Sequence, residues 1–199
     1  MKKIISFLTA IFLIFIVSGC SMVRIDTSNI DNIVDVILSK ENSLYNHIGK
    51  GYKYYIPRGV TYIDTIEFND KLYSNGNYYY LYIDAISYLY EKDIKNNKTD
   101  SYYYRDIDIN GKVGYINIDK VDDKYLIDFM YNFAHIESLV DLEDINNVIM
   151  NSSYILSTVK FNNNVIKIML NEDYFKYKEE KFELFEKNDS TENLLEYNE

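Results

Sequence analysis

The chain has 199 residues, 47% of them hydrophobic and 26% charged, with a formal charge of −10. That composition suits one domain with a real core and excludes a disordered chain. The excess of carboxylates repels phosphate backbones and anionic headgroups, which excludes nucleic acid as a partner and a basic patch as the means of membrane attachment.

Lys2 and Lys3 form a positive start, residues 4–17 are a mostly apolar run, and Val17-Ser18-Gly19-Cys20 closes the segment. Fourteen residues are too few to span ~30 Å of hydrocarbon, which takes about 20, and they fit the apolar part of an export signal. The tetrapeptide resembles the lipobox of bacterial lipoproteins. The resemblance implies a diacylglyceryl group on the Cys20 sulfur, cleavage before Cys20, acylation of the new amino group and a place on the outer face of the cell membrane. Two or three acyl chains anchor stably where one does not. The mature chain would carry 19 basic and 31 acidic residues. Cys20 is the sole cysteine, so no disulfide forms within the chain and packing alone must hold it. Twenty-two Tyr, one Pro and no Trp, with abundant Asn, Ile and Lys, resemble the usage of AT-rich, low-GC Gram-positive bacteria.

Residues 21–27 read as a tether. Ser28 with Asp31 looks like a capping box, and Ile30, Ile33, Val34, Ile37 and Leu38 recur at helical spacing, predicting a helix over 29–40. Residues 42–51 are loop or a second short helix. Strands follow at 52–56, stopping at Pro57, and at 60–67. Asn75-Gly76 predicts a hairpin between 72–73 and a long strand over 78–89. A polar loop at 95–100 leads to a second hairpin, 102–109 with 112–118, turning at Asn110-Gly111. A two-residue turn there pairs Ile109 with Lys112 and Ile107 with Gly114. Tyr103, Ile107, Ile109, Ile116 and Ile118 then share one face, and Asp106, Asp108 and Asn117 the other. Residues 125–135 read as one strand and 143–158 as a helix, with 154–161 competing as a strand; 165–170 is ambiguous. Residues 174–185 look like a short hairpin and 188–199 like an acidic tail. The order is that of an α+β sandwich, residues 28–187, with an antiparallel sheet packed by an early and a late helix.

The segment Gly51-Tyr52-Lys53-Tyr54-Tyr55-Ile56-Pro57-Arg58-Gly59-Val60 resembles the opening strand of PsbP-like domains. Ile155-Leu156-Ser157-Thr158-Val159-Lys160-Phe161 resembles their close. The two touch at most a fifth of the chain, and the resemblance implies a helix–sheet–helix sandwich that binds partners and performs no chemistry.

Asp106-x-Asp108-x-Asn110-Gly111 has the alternating oxygens and sixth-position Gly of a calcium loop, but Asn117 stands where a bidentate Glu is needed, and a hairpin with two exposed Asp explains the same letters. His47 and His135 have no metal-ligand spacing, and His135 reads as a packed or edge residue. There is no G-x-S-x-G elbow, and Ser152-Ser153 reads as packing. Nothing calls for a cofactor. Tyr78, Tyr80, Tyr82, Tyr102 and Tyr104 form a candidate binding surface, because alternate strand residues share a face and Tyr joins apolar area to a hydroxyl. Codon usage and β-propensity explain the same tyrosines. The expectation is a lipid-anchored domain that binds a membrane-protein partner without catalysis. Its rival is a cell-wall glycan-binding module or hydrolase, for which a Tyr-lined groove with facing carboxylates would speak.

Overall fold

The computed structural model describes residues 24–66, 68–94 and 101–171. Cys20, the export signal, the 95–100 loop, the 174–185 hairpin and the acidic tail lie outside the described residues.

Helix α1 (Ile30–Leu38) starts one residue later than the capping box would have it. Asn29 is the cap, its side chain accepting from the Asn32 N–H at 3.1 Å, while the Ser28 hydroxyl turns back to Asp26. Ile25, in the expected tether, already packs against the core. Nine residues make a marginal helix alone. Burial of Ile33, Val34, Ile37 and Leu38, each contributing ~1.5–3 kcal/mol, holds it in place.

The ten strands among the described residues all pair antiparallel. A three-stranded sheet is formed by β1 (His47–Ile48), β2 (Tyr52–Tyr54) and β10 (Lys160–Phe161), with β2 central. The segment expected as loop or helix thus contributes β1, and β10 pairs with β2, joining the two stretches on which the PsbP-like resemblance rests. The main sheet has seven strands in the order β3 (Thr61–Ile66), β4 (Asn69–Ser74), β5 (Asn77–Ile83), β9 (Ala134–Val140), β8 (Lys124–Tyr131), β7 (Lys112–Val121) and β6 (Tyr103–Ile109). Both Asn-Gly turns form, with positive φ at each Asn and Gly, and Ile109 pairs with Lys112 and Ile107 with Gly114 as expected.

Two strand expectations are corrected. The long strand stops at Ile83, because the Asp84 carboxylate accepts from the Ser87 N–H at 2.8 Å and starts the short helix α2 (Ala85–Leu89). The segment 125–135 is not one strand but nearly all of β8 and the start of β9, reversing at Asn132-Phe133. Both residues have positive φ, the geometry usually given to Asn-Gly, so no glycine betrayed the turn. Helix α3 (Ile145–Thr158), preceded by a 3₁₀ turn at Leu142–Asp144, runs through the segment that competed as a strand. Helix α4 (Asn163–Asn171) settles the ambiguous stretch.

One face of the main sheet meets α1 and α3. Tyr79, Leu81, Ile116, Ile118, Ile127, Phe129, Tyr131 and Ile136 point into this layer with Ile33, Val148, Ile149, Ile155 and Leu156. Ser152 is wholly buried there and the Ser153 hydroxyl donates to its own helix at Ile149, so both act in packing. At the β6 edge the contact is polar: Arg105 pairs with Asp31 at 3.0 Å and with Asp35, and Tyr103 donates to Asp31. The observed class is α+β, as the sequence pattern led one to expect. No helix among the described residues is long and apolar enough to cross a membrane.

Candidate functional site

The other face of the main sheet gathers most of the candidate residues. Cross-strand register arranges it in rows. One row runs Asp64, Lys71, Tyr80, Glu137, Asp128, Asn117, Tyr104 from β3 to β6. The next runs Ile66, Asn69, Tyr82, His135, Met130, Tyr115, Asp106. Tyr78 stands opposite Tyr73 beside the first row. Period-two alternation decides membership: the residues between these point into the helical layer.

The face has two parts. At the β3–β5 corner, Tyr73 and Tyr78 pack with ring centres 5.1 Å apart, Tyr80 lies 6.4 Å beyond, and Lys71 Nζ sits 4.4 Å above the Tyr78 ring. Tyr73 and Tyr78 are exposed there, Tyr78 by 44%, and Ile63 and Ile66 are exposed farther along β3. The corner is therefore apolar area with hydroxyls and one cation at its edge, of the kind that desolvates readily against a partner.

The centre of the face is ionic. His135 Nε2 donates to Asp128 Oδ1 and lies 3.8 Å from Glu137 Oε1. Asp128 and Glu137 are direct cross-strand partners, and like charges so placed repel unless a cation or proton stands between them. The His135 imidazole fills that position. The Tyr115 hydroxyl donates to the second Asp128 oxygen at 3.4 Å, and burial followed by the Asp128 charge pushes this phenol well above its ordinary range. The Asn117 amide donates to Asp119 at 2.8 Å, while its carbonyl oxygen is buried without a hydrogen-bond partner among the described residues.

Of the expected site residues, Tyr78, Tyr80, Tyr82 and Tyr104 do share this face. Tyr104 sits four strands from Tyr80, about 19 Å at ~4.8 Å per strand, so they form no single strip. Tyr102 precedes β6 and packs edge-on against Tyr125, a residue of the helical side. Asp106 accepts from Tyr104, and it lines a cleft of about 360 Å³ with Tyr104, Asp108, Val113 and Tyr115. Asn110 turns the other way: its amide donates to the Leu38 and Ser39 carbonyls at the end of α1. The flanks of Asp106 and Asp108 are strands, and among the described residues no group of His, Cys, Asp and Glu has the arrangement of a metal site.

A second histidine–carboxylate–tyrosine group lies on the helical side, and sequence reasoning missed it. Asp70 of β4 is wholly buried. Its Oδ2 accepts from Tyr52 at 3.0 Å and Tyr54 at 2.8 Å, its Oδ1 accepts from Thr65 at 2.5 Å, and His47 Nε2 lies 3.5 Å away. His47 is sandwiched by the Tyr54 and Tyr62 rings. Burial, then the Asp70 charge, raises both Tyr52 and Tyr54 far above the ordinary phenol range. The only sequence sign was the alternation of β4, which turns a charged residue inward.

No protein-family model matches the chain, and neither a curated protein nor a solved structure does.

Proposed function

We propose that this chain is a lipoprotein, anchored through Cys20 to the outer face of the cell membrane, whose domain binds a membrane-protein partner through the Tyr73–Tyr78–Lys71 corner and does no chemistry. The observation that carries the reading is the exposed Tyr73–Tyr78 pair, with Lys71 Nζ over the Tyr78 ring, on an otherwise acidic, well-packed domain. Aromatic side chains with few rotatable bonds lose little entropy on docking and recur as the residues that dominate interfaces.

The test has two arms. Full-length protein extracted from membranes should carry the mass of two or three acyl chains, and Cys20→Ser should remove it and release the protein from the membrane. A photo-cross-linker at position 78 in cells should give one discrete protein adduct, where a cross-linker at exposed position 142 gives none. Absence of any adduct at 78, with the lipid present, would refute the interface and leave the anchor standing.

A second reading has its own support. Asp128 and Glu137 face each other beside Tyr80, the placement expected of a surface that stacks a sugar and holds its hydroxyls by carboxylates. A saturable melting shift with peptidoglycan fragments, abolished in Asp128→Asn, would move the conclusion to glycan binding.

A further inference from the structure

Beside the main sheet, the small sheet and the start of α4 line an open cavity of about 840 Å³. Three lysines line it, Lys50, Lys53 and Lys160, and no Asp or Glu is among its described lining residues, although the chain as a whole has 31 acidic residues against 21 basic ones. Lys53 and Lys160 are direct cross-strand partners on β2 and β10. Like charges in that position destabilise a strand pair. Arg105, by contrast, meets Asp31 and Asp35, and Lys124 meets Asp141 at 3.8 Å. Lys53 and Lys160 meet no carboxylate among the described residues. Lys53 Nζ is instead held 3.8 Å over the Tyr45 ring, a contact that fixes its position.

The third wall supplies directed donors. Asn162 precedes α4, accepting the Ile166 N–H on its carbonyl and the Val165 N–H on its side chain. The N–H groups of Asn163 and Asn164 find no acceptor among the described residues, and they open the helix at the cavity lined by Asn162, Asn163 and Asn164. Free amides at a helix start beside several ammonium groups suit a group with more than one negative charge and several acceptor oxygens. Tyr45, Ile48, Val165 and Met169 give the rest of the lining an apolar character suited to an organic remainder.

We propose that this cavity binds a phosphate-bearing organic anion, the phosphate lying between Lys53, Lys160 and the first turn of α4. The site is independent of the Tyr73–Tyr78 corner, so either can fail alone.

The experiment titrates full-length protein in nonionic micelles with inorganic phosphate, glycerol 3-phosphate and dihexanoylphosphatidic acid, chloride holding the ionic strength constant. Backbone amides 163 and 164 are followed by NMR. Saturable shifts are expected with glycerol 3-phosphate, weakened about tenfold or more in Lys53→Gln/Lys160→Gln and unchanged in Lys124→Gln. Tighter binding of the lipid than of glycerol 3-phosphate would assign a membrane headgroup as the source; equal binding would assign a soluble phosphate. Lys160→Glu should raise the melting midpoint in phosphate-free buffer, since it places a carboxylate opposite Lys53, and should abolish binding. Absence of saturable shifts, equal shifts in the double variant, or a lowered midpoint in Lys160→Glu would each overturn the proposal.

Discussion

Asp70 and Asp128 occupy opposite faces of one sheet, and each has a histidine and at least one tyrosine hydroxyl about it. Asp70 is sealed, with three hydroxyls donating to its two oxygens and an imidazole at 3.5 Å. Asp128 keeps 28% of its side chain exposed and stands opposite another carboxylate, Glu137. Residue type therefore does not separate a structural pin from a site; closure and donor count do. A buried carboxylate must be fully satisfied or it destabilises the fold, whereas a half-exposed one can exchange partners with solvent or ligand at low cost.

The contrast predicts unequal losses. Asp70→Ala should destabilise the domain by about 3–5 kcal/mol in urea unfolding, since it strands three buried hydroxyls together with the imidazole. Asp70→Asn, which keeps the shape and one acceptor oxygen, should cost less. A loss under about 1 kcal/mol for Asp70→Ala would show that water reaches this network, and the distinction would collapse.

Alkaline pH tests the same pin without mutation. The Tyr52 and Tyr54 phenols are raised above their unfolded range near 10, so between that value and their folded values the unfolded chain has released protons that the folded chain retains. Stability from these groups is complete below about pH 10 and falls as pH rises, by about 1.4 kcal/mol per unit for each phenol. Urea midpoints measured from pH 9 to 11 should drop steeply, and less steeply in Tyr54→Phe.

How much of this was legible follows from what kind of signal each element leaves. The 109–112 hairpin and its register could be read because Asn-Gly turns and period-two alternation are local. The reversal at Asn132-Phe133 left no such mark, since Phe is an unusual choice for a positive φ. The shared face of Tyr78, Tyr80 and Tyr82 was visible on one strand. Its neighbours Asp128, His135 and Glu137 were not, because β9 enters the sheet between β5 and β8 and only that strand order brings them beside the tyrosines. His47 and Asp70, 23 positions apart, meet only once the small sheet docks on β4. The lysine pair at 53 and 160 depends on a pairing between strands more than a hundred residues apart. Strand order and long-range docking are thus where local pattern runs out.

On the outer face the losses should be smaller and their signature different. Asp128→Ala should cost about 1 kcal/mol, its exposure to water screening the pair with His135. It should also lower the Tyr115 phenol, because the carboxylate charge that follows burial as a cause is gone. Spectroscopic titration of tyrosine would detect one phenol moving towards the ordinary range. An unmoved titration would detach Tyr115 from the ionic centre and leave the Asp128–His135 contact as its only member.

The smallest effect is expected at the corner. Tyr78→Ser removes an exposed ring and the contact with Lys71, worth about 0.5 kcal/mol at such a site. Its backbone carbonyl, which accepts from Ser138, is kept, so β5 should stay in register. Unfolding would then barely register the change, while affinity for the docked partner should fall by about 2 kcal/mol, some thirtyfold, if Tyr78 is an anchor of the interface. Asp70→Asn supplies the mirror image: a measurable loss of stability with partner affinity unchanged at temperatures where the domain stays folded. Finding the two variants alike in both measurements would mean that the faces are not energetically separate, and that the corner belongs to the fold rather than to a partner.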